Sequence, residues 1–184
     1  MPNGPRVKIL GGSKRGRFIE TPSWALPASE ITRQYIFEKL GNTTKKSRVV
    51  DLYAGGGTYG IESLSRGAQR AIFVDYEIEA KQIIQKNLHS MGFSTRAWEV
   101  QSKHVRDFIQ TCREKFDIIF IDPPYPSTNN PALATTHRLL DENGIIILRH
   151  RRGNPNPTIG NYLKLLHTKT IDGHEILFLN RTQD

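Results

Sequence analysis

The sequence predicts an α/β fold: a mostly parallel sheet covered by helices on both faces, with an antiparallel hairpin at one edge. Three observations predict it. Short apolar strand runs alternate with helical stretches from residue 47 onward. The apolar runs, such as Ile118–Ile121 and Ile145–Leu148, are strand-sized and none reaches membrane-spanning length. Asp172-Gly173, between two strand-like stretches near the C-terminus, is a hairpin signal. At 184 residues with 37% hydrophobic and 24% charged content, the chain suits one globular domain with a substantial core.

Each element has a local reason. Val7–Leu10 is a short apolar strand candidate, and Gly11, Gly12 and Gly16 break up the basic loop GGSKRGR behind it. Pro22 and Pro27 bracket an extended segment. Ser29 can cap a helix to about Leu40, where Gly41 and Asn42 can stop it. Arg48–Tyr53 reads as a buried strand, followed by a glycine turn and a helix over Tyr59–Arg66. Arg70–Asp75 is a second strand. A helix over Glu77–Met91 carries Ile78, Ile83, Ile84 and Leu88 on its apolar side. Arg96–Gln101 is a weaker strand, Val105–Cys112 a helix, and Phe116–Ile121 a strongly apolar strand. Pro131–Leu140 reads as helix, Gly144–Leu148 as strand, and Leu163–Thr170 with Glu175–Leu179 as the hairpin. In such sheets ligands bind at the carboxyl ends of the strands, near the topological switch point.

Charge divides the chain. The total is +8, from 26 Lys and Arg against 18 Asp and Glu. Residues 1–48 hold ten basic residues and three acids, so the remainder is close to neutral. The expected organisation is a basic N-terminal extension over 1–46 and a catalytic domain over 47–184. A basic arm on a near-neutral body suggests a polyanionic partner. The lone Cys112 excludes an internal disulfide, and the scattered histidines form no metal pattern. No signal core opens the chain, so a cytoplasmic protein without a metal and without membrane attachment is expected.

Two motifs carry chemistry. Asp51-Leu52-Tyr53-Ala54-Gly55-Gly56-Gly57 leaves a strand and enters a helix, and Gly55, Gly57 and Gly60 satisfy G-x-G-x-x-G in the context that gives that motif meaning. Glycines there allow a tight turn and close backbone approach to a ligand. Asp75 ends the next strand and can accept both hydroxyls of a ribose, while Tyr76 could stack on an adenine. Asp51 could serve a cationic ligand directly or by orienting the loop. A dinucleotide and S-adenosylmethionine both remain open at this half-site. The second motif is Asp122-Pro123-Pro124-Tyr125, directly after the strand Phe116–Ile121. The prolines stiffen a short loop at the ligand edge. Asp122 offers a carboxylate and Pro123 a carbonyl, which together can hold the two hydrogens of an exocyclic base amine. Tyr125 offers a face on which a flipped base can stack.

On these residues the chain resembles the RsmD-type methyltransferases, which modify guanine N2 in bacterial 16S ribosomal RNA. The resemblance is carried by VKILGGSKRGRFI at 7–19, the helix holding Arg33, Phe37 and Leu40 after Pro27, DLYAGGGTYGIESLSRGA at 51–68, and FDIIFIDPPY at 116–125. It implies a Rossmann-like class I S-adenosylmethionine-dependent methyltransferase fold with a mostly parallel seven-stranded sheet. It further implies S-adenosylmethionine as donor and 16S rRNA, in an assembling small-subunit particle, as substrate of a protein expected to be monomeric. Asp122, Pro123 and Tyr125 are then the expected catalytic residues. Asp51, Tyr53, Ala54, Gly55, Gly57, Asp75 and Tyr76 are expected to bind the donor. Lys14, Arg15, Arg17, Arg33, Arg149 and Arg151 are expected to grip RNA. The chain departs from the family at Leu26-Pro27-Ala28, where Arg-Pro-Thr is usual. It departs again at Arg149-His150-Arg151-Arg152, where Glu is frequent. After the third strand, Ser102, Lys103 and His104 are the candidates to meet the adenine. Three other functions compete: an adenine-N6 methyltransferase, a dinucleotide-dependent oxidoreductase, and a non-catalytic RNA-binding assembly factor.

Overall fold

The protein is described here from a computed structural model, covering residues 4–124, 131–153, 159 and 161–182. Its strands are β1 (Val7–Lys8), β2 (Phe18–Ile19), β3 (Arg48–Leu52), β4 (Arg70–Asp75), β5 (Trp98–Ser102), β6 (Phe116–Ile121), β7 (Leu140–Arg151), β8 (Leu163–Ile171) and β9 (His174–Arg181). Its α-helices are α1 (Glu30–Leu40), α2 (Thr58–Ser65), α3 (Ile78–Ser90), α4 (Val105–Thr111) and α5 (Pro131–Thr136). Strands β1 and β2 form a small antiparallel ribbon; the other seven form one sheet in the order β5-β4-β3-β6-β7-β9-β8. Strands β3 to β7 are mutually parallel, and β9 lies antiparallel between β7 and β8. The chain winds outward from β3 to β5 and returns to β6, so the switch point lies between the carboxyl ends of β3 and β6.

Strand alternation explains the two-sided core. Val49, Ala71, Phe73, Ile118, Phe120, Ile147 and Phe178 point to one face, where they meet Ile36, Phe37, Ile61 and Ile84 from α1, α2 and α3. Their neighbours Val50, Leu52, Ile72, Val74, Ile119, Ile121, Ile146 and Leu148 point to the other face and meet Val105, Phe108 and Ile109 of α4. The local signals at the elements' ends hold. Ser29 Oγ accepts from Thr32 N at 3.1 Å and caps α1, and Gly41 ends it at φ +49°. Asp172 and Gly173 both take positive φ, +50° and +73°, as a two-residue hairpin turn requires.

Two expectations need correction. Ile78 does not lie on the apolar side of α3: it is 68% exposed, because the helix begins there and its buried side is Ala80, Ile84 and Leu88. Strand β7 is longer than Gly144–Leu148 and absorbs the basic run up to Arg151. Arg149, His150 and Arg151 pair with Ile176, Glu175 and His174, so β9 supplies the ladder that keeps them extended.

Residues 1–46 share one apolar cluster with the sheet. Ile9, Ile19, Ile36, Phe37 and Leu40 pack with Val49, Phe73 and Phe120. A buried ion pair ties the two parts together. Glu62 of α2 is fully buried; its carboxylate accepts from Leu10 N at 2.8 Å and from Arg66 Nε at 2.7 Å, and lies 3.7 Å from Arg33 Nη1. Arg33 is 1% exposed and also donates to the carbonyls of Lys8, at 2.8 Å, and Ala28, at 3.3 Å. Burial holds its pKa below the usual value, with Glu62 pulling the other way. Removing one member of such a set strands the others without a partner. Glu62→Ala is therefore expected to lower the unfolding free energy by about 3–5 kcal/mol in urea denaturation, with Glu62→Gln losing less because it still accepts from Leu10 N.

Candidate active site at the carboxyl edge of the sheet

The site grows from the turn between β3 and α2. Asp51 is buried at the end of β3, and its Oδ2 accepts from Gly60 N at 2.9 Å. That bond anchors the first turn of α2 to the central strand. Between them Tyr53, Gly55 and Gly57 all take positive φ, at +65°, +54° and +80°. Positive φ in a tyrosine is uncommon and marks a backbone held by its surroundings. Gly60 answers a different need: a Cβ there would lie 2.2 Å from the Phe73 ring, so α2 can sit on β4 only with glycine at that position.

Three carboxylates converge at this edge. Asp75, at the end of β4, accepts from Gly55 N at 2.8 Å and Glu77 N at 3.0 Å. Asp122, just past β6, accepts from Tyr59 Oη at 3.1 Å and from Arg149 Nη1 at 3.0 and 2.9 Å. Burial raises all three above the ordinary carboxylate range. For Asp51 the rise is large, and the nearby charges of Asp122 and Asp75 add to it. For Asp75 the backbone N–H groups of Glu77 and Gly55 pull back, and for Asp122 the Arg149 guanidinium and Tyr59 do. Tyr59 is itself pushed well above the usual phenol value, by burial and then by Asp122.

A cavity of about 430 Å³ opens between these groups. Tyr53, Ala54, Gly55, Asp75 and Tyr76 form one side, Asp122, Pro123, Pro124 and Arg149 another, and the segment Trp24–Ala28 covers it from the N-terminal part. An adjoining hollow of about 350 Å³ shares Tyr53, Asp75, Tyr76 and Pro124 and continues to His104 and Val105. Tyr76 and His104 stack at 5.1 Å between ring centres.

The structure thus brings Tyr53, Ala54, Gly55, Asp75, Tyr76, Asp122 and Pro123 to one cavity. Asp51 and Gly57 stand behind its wall: Asp51 orients the loop, and Gly57 opens α2, where a Cβ would press at 3.2 Å on Ile61, Ile84 and Phe73. Tyr125 lies outside the described residues. Lys14, Arg15 and Arg17 cluster near the far ends of α2 and α3. Lys14 N donates to Ser65 Oγ at 2.9 Å, the Lys14 ammonium lies over the Phe93 ring, and Arg17 Nη2 donates to the Ser90 carbonyl at 3.0 Å. That places them at the ends of α2 and α3 remote from the cavity, helices roughly 12 and 20 Å long. Arg151 is exposed at the end of β7.

Two residues expected to grip RNA are corrected. Arg33 is buried on Glu62 and two carbonyls, so its guanidinium cannot reach a phosphate. Arg149 is 7% exposed and paired with Asp122, so it belongs to the cavity wall and not to a basic surface loop. Tyr59, Trp24 and Ala25 are cavity residues that the sequence did not single out, and Leu26-Pro27-Ala28, noted for its departure from the family, lines the cavity with them. Tyr59 had a usable signal: it lies in the first turn of the helix that the glycines open, where side chains lean back toward the ligand edge.

A seven-stranded sheet in this order, with β9 antiparallel and a glycine turn facing carboxylates at the switch point, defines the class I, Rossmann-like methyltransferase fold. The antiparallel strand separates it from the all-parallel sheet of dinucleotide enzymes. The chain belongs to the family described as Conserved hypothetical protein 95, whose model matches residues 7–180, and this is the RsmD family of the motifs above. YlbH of Bacillus subtilis is 31% identical over 153 residues, covering 79% of this chain and 83% of that protein. Ribosomal RNA small subunit methyltransferase D of Haemophilus influenzae is 27% identical over 171 residues, covering 89% and 88%. The solved structure of the Escherichia coli protein yhhF superposes with a TM-score of 0.84 at 24% identity, covering 96% of this chain and 98% of that one.

The buried Asp51 gives a signed expectation. Its folded pKa lies above the ordinary value near 3.8, so its ionised form opposes folding. Stability present at low pH is lost as pH rises from about 4 through the folded pKa. Asp51→Asn does not titrate, so its stability relative to wild type should increase with pH across that window. Denaturant unfolding at pH 4, 6 and 8 measures the trend.

Proposed function

We propose that this protein transfers a methyl group from S-adenosylmethionine to the exocyclic N2 amine of a guanine in 16S rRNA, on an assembling 30S particle. The observation that carries the reading is the cavity in which Asp122-Pro123 faces Asp75 and the glycine turn. The rRNA class is supported by the name of the Haemophilus influenzae relative, and guanine N2 by the motif resemblance.

The residues fit the donor. Gly55 leaves the turn without a side chain beside the cavity. Asp75 accepts from Gly55 N and Glu77 N and lines the cavity, where its remaining acceptor capacity can meet ribose hydroxyls. Tyr76 and His104 line the hollow that suits an adenine. Asp75, held by backbone donors rather than a paired cation, offers the edge a carboxylate toward a cationic donor. When bound, S-adenosylmethionine supplies a methyl group on a sulfonium, whose sulfur keeps the bond's electron pair as the methyl leaves. Asp122 and the Pro123 carbonyl hold the two amine hydrogens, which turns the nitrogen lone pair outward. Asp122, acceptor of one of those hydrogens, is placed to take the proton the nitrogen sheds as the N–C bond forms. The arrangement acts mainly by positioning.

Within this reading residues 1–46 make the RNA contact segment and 47–184 the catalytic unit. Lys14, Arg15, Arg17 and Arg151 meet backbone phosphates, and the RNA must then extend along α2 from the cavity to the basic loop.

The test is labelled methyl transfer to 30S particles from a strain lacking the activity. Asp122→Ala should lower the rate by about 100-fold or more while S-adenosylhomocysteine affinity, by calorimetry, stays near wild type; full activity would sink the reading. Digestion and mass analysis should give N2-methylguanosine, whereas N6-methyladenosine would install the adenine alternative. Changing Lys14, Arg15 and Arg17 together to Gln should weaken RNA binding and reduce the slope of log affinity against log salt by about 2, with donor affinity unchanged.

A further inference from the structure

We propose that Arg149 is a positioning residue of the transfer site: it clamps the Asp122 carboxylate from the sheet side and, with Tyr59, leaves Oδ1 as the acceptor that meets the target amine. The inference rests on the reading of Asp122 given above.

The hydrogen-bond inventory leads there. A carboxylate has about four acceptor positions. Arg149 Nη1 takes one on each oxygen of Asp122, at 3.0 and 2.9 Å, and Tyr59 Oη takes a second on Oδ2 at 3.1 Å. One position is left, on Oδ1. Together with the Pro123 carbonyl it makes the pair of acceptors that two amine hydrogens need. Tyr59 cannot drift from its place, since its ring stacks on Phe120 at 4.8 Å with planes 8° apart.

Arg149 is held in turn. It stands on β7 one residue past Leu148, which pairs with Ile121, and so lies level with Asp122. Its Nη2 lies 3.3 Å from His174 Nε2. His174 Nδ1 lies 2.8 Å from the Asp172 carbonyl, which can only accept, so Nδ1 carries the proton and Nε2 presents its lone pair to Arg149. Burial and Arg149 keep His174 below its ordinary pKa, in the neutral form this contact needs. Asp172 receives Ser29 Oγ at 2.5 Å, which joins the hairpin turn to the cap of α1.

The charge of Arg149 matters as much as its shape. The groups facing Asp122 are Tyr59 from α2, Arg149 from β7, His174 from β9 and Asp51 from β3. Arg149 is the one permanent cation among them. Without it a buried Asp122 beside Asp51 would take up a proton more readily. A protonated carboxyl would donate its O–H to the amine nitrogen and occupy the lone pair that must attack the methyl group.

The experiment follows methyl transfer to unmodified 30S particles between pH 5.5 and 9 for wild type, Arg149→Gln, Arg149→Lys and Asp122→Asn, with calorimetry of S-adenosylhomocysteine as the check on folding. Arg149→Gln should lower kcat at pH 7 by about 10–100-fold with donor affinity near wild type. Its acid limb should move up by about one pH unit or more, so that part of the rate returns at pH 9. Arg149→Lys restores the charge and should keep the limb near its wild-type position. The inference is overturned if Arg149→Gln keeps the wild-type profile, loses the same factor at every pH, or raises only KM for the particle. If Asp122→Asn is inactive while Arg149→Gln is unchanged, Arg149 alone is misassigned. Full activity of Asp122→Asn would remove the reading of Asp122 and the inference with it.

Discussion

The bond from Gly60 N to the buried Asp51 carboxylate fixes where α2 begins, and most of the site is reached through that helix. One residue before Gly60, Tyr59 donates to Asp122, just past β6. One turn further, Glu62 collects Arg33, Arg66 and the backbone of Leu10. A helix of eight residues thus connects the central strand, the loop after β6 and the N-terminal segment. Gly60 lets it lie against Phe73, and a displacement there would move all three partners together.

Buried charge is distributed by a consistent rule. Asp51 and Asp75 are met by backbone N–H groups, which cost little to order because the turn already fixes them. Asp122 and Glu62 are met by guanidinium groups, which bring a full opposite charge into places where a lone carboxylate would be costly. Asp75 is held by backbone donors on both oxygens, whereas Asp122 takes its compensation from a guanidinium and a phenol.

Much of this was legible in the sequence, and the reason is strand alternation. Asp51 has the parity of Val49, Asp75 that of Phe73, Asp122 that of Phe120 and Arg149 that of Ile147, all of which point to the face of α1, α2 and α3. Strand ends and parity therefore gather Asp51, Asp75 and Asp122 at one edge, and Arg149 joins them because β7 runs on past Leu148. The glycine turn and the proline loop announced themselves by composition. The fate of Arg33 was not legible, because its partner Glu62 lies 29 positions away and nothing local marks either as buried. The basic run Arg149–Arg151 read as a loop because the strand that pairs with it comes more than twenty residues later. The segment Leu26-Pro27-Ala28 drew notice only through the resemblance, since an extended proline-bracketed stretch has no period that reveals what it packs over.

The chain's net charge takes a narrower meaning from this. Two of the arginines expected to grip RNA are turned inward to satisfy carboxylates, Arg33 on Glu62 and Arg149 on Asp122. Of the basic groups singled out for RNA, Arg15, Arg17 and Arg151 are exposed and Lys14 is half-buried. They do not surround the cavity: the loop residues lie at the far ends of α2 and α3, and Arg151 at the end of β7 near the hairpin turn. A ligand confined to the cavity would not reach the basic loop, whereas a polyanion broad enough to span the loop and the cavity would meet both.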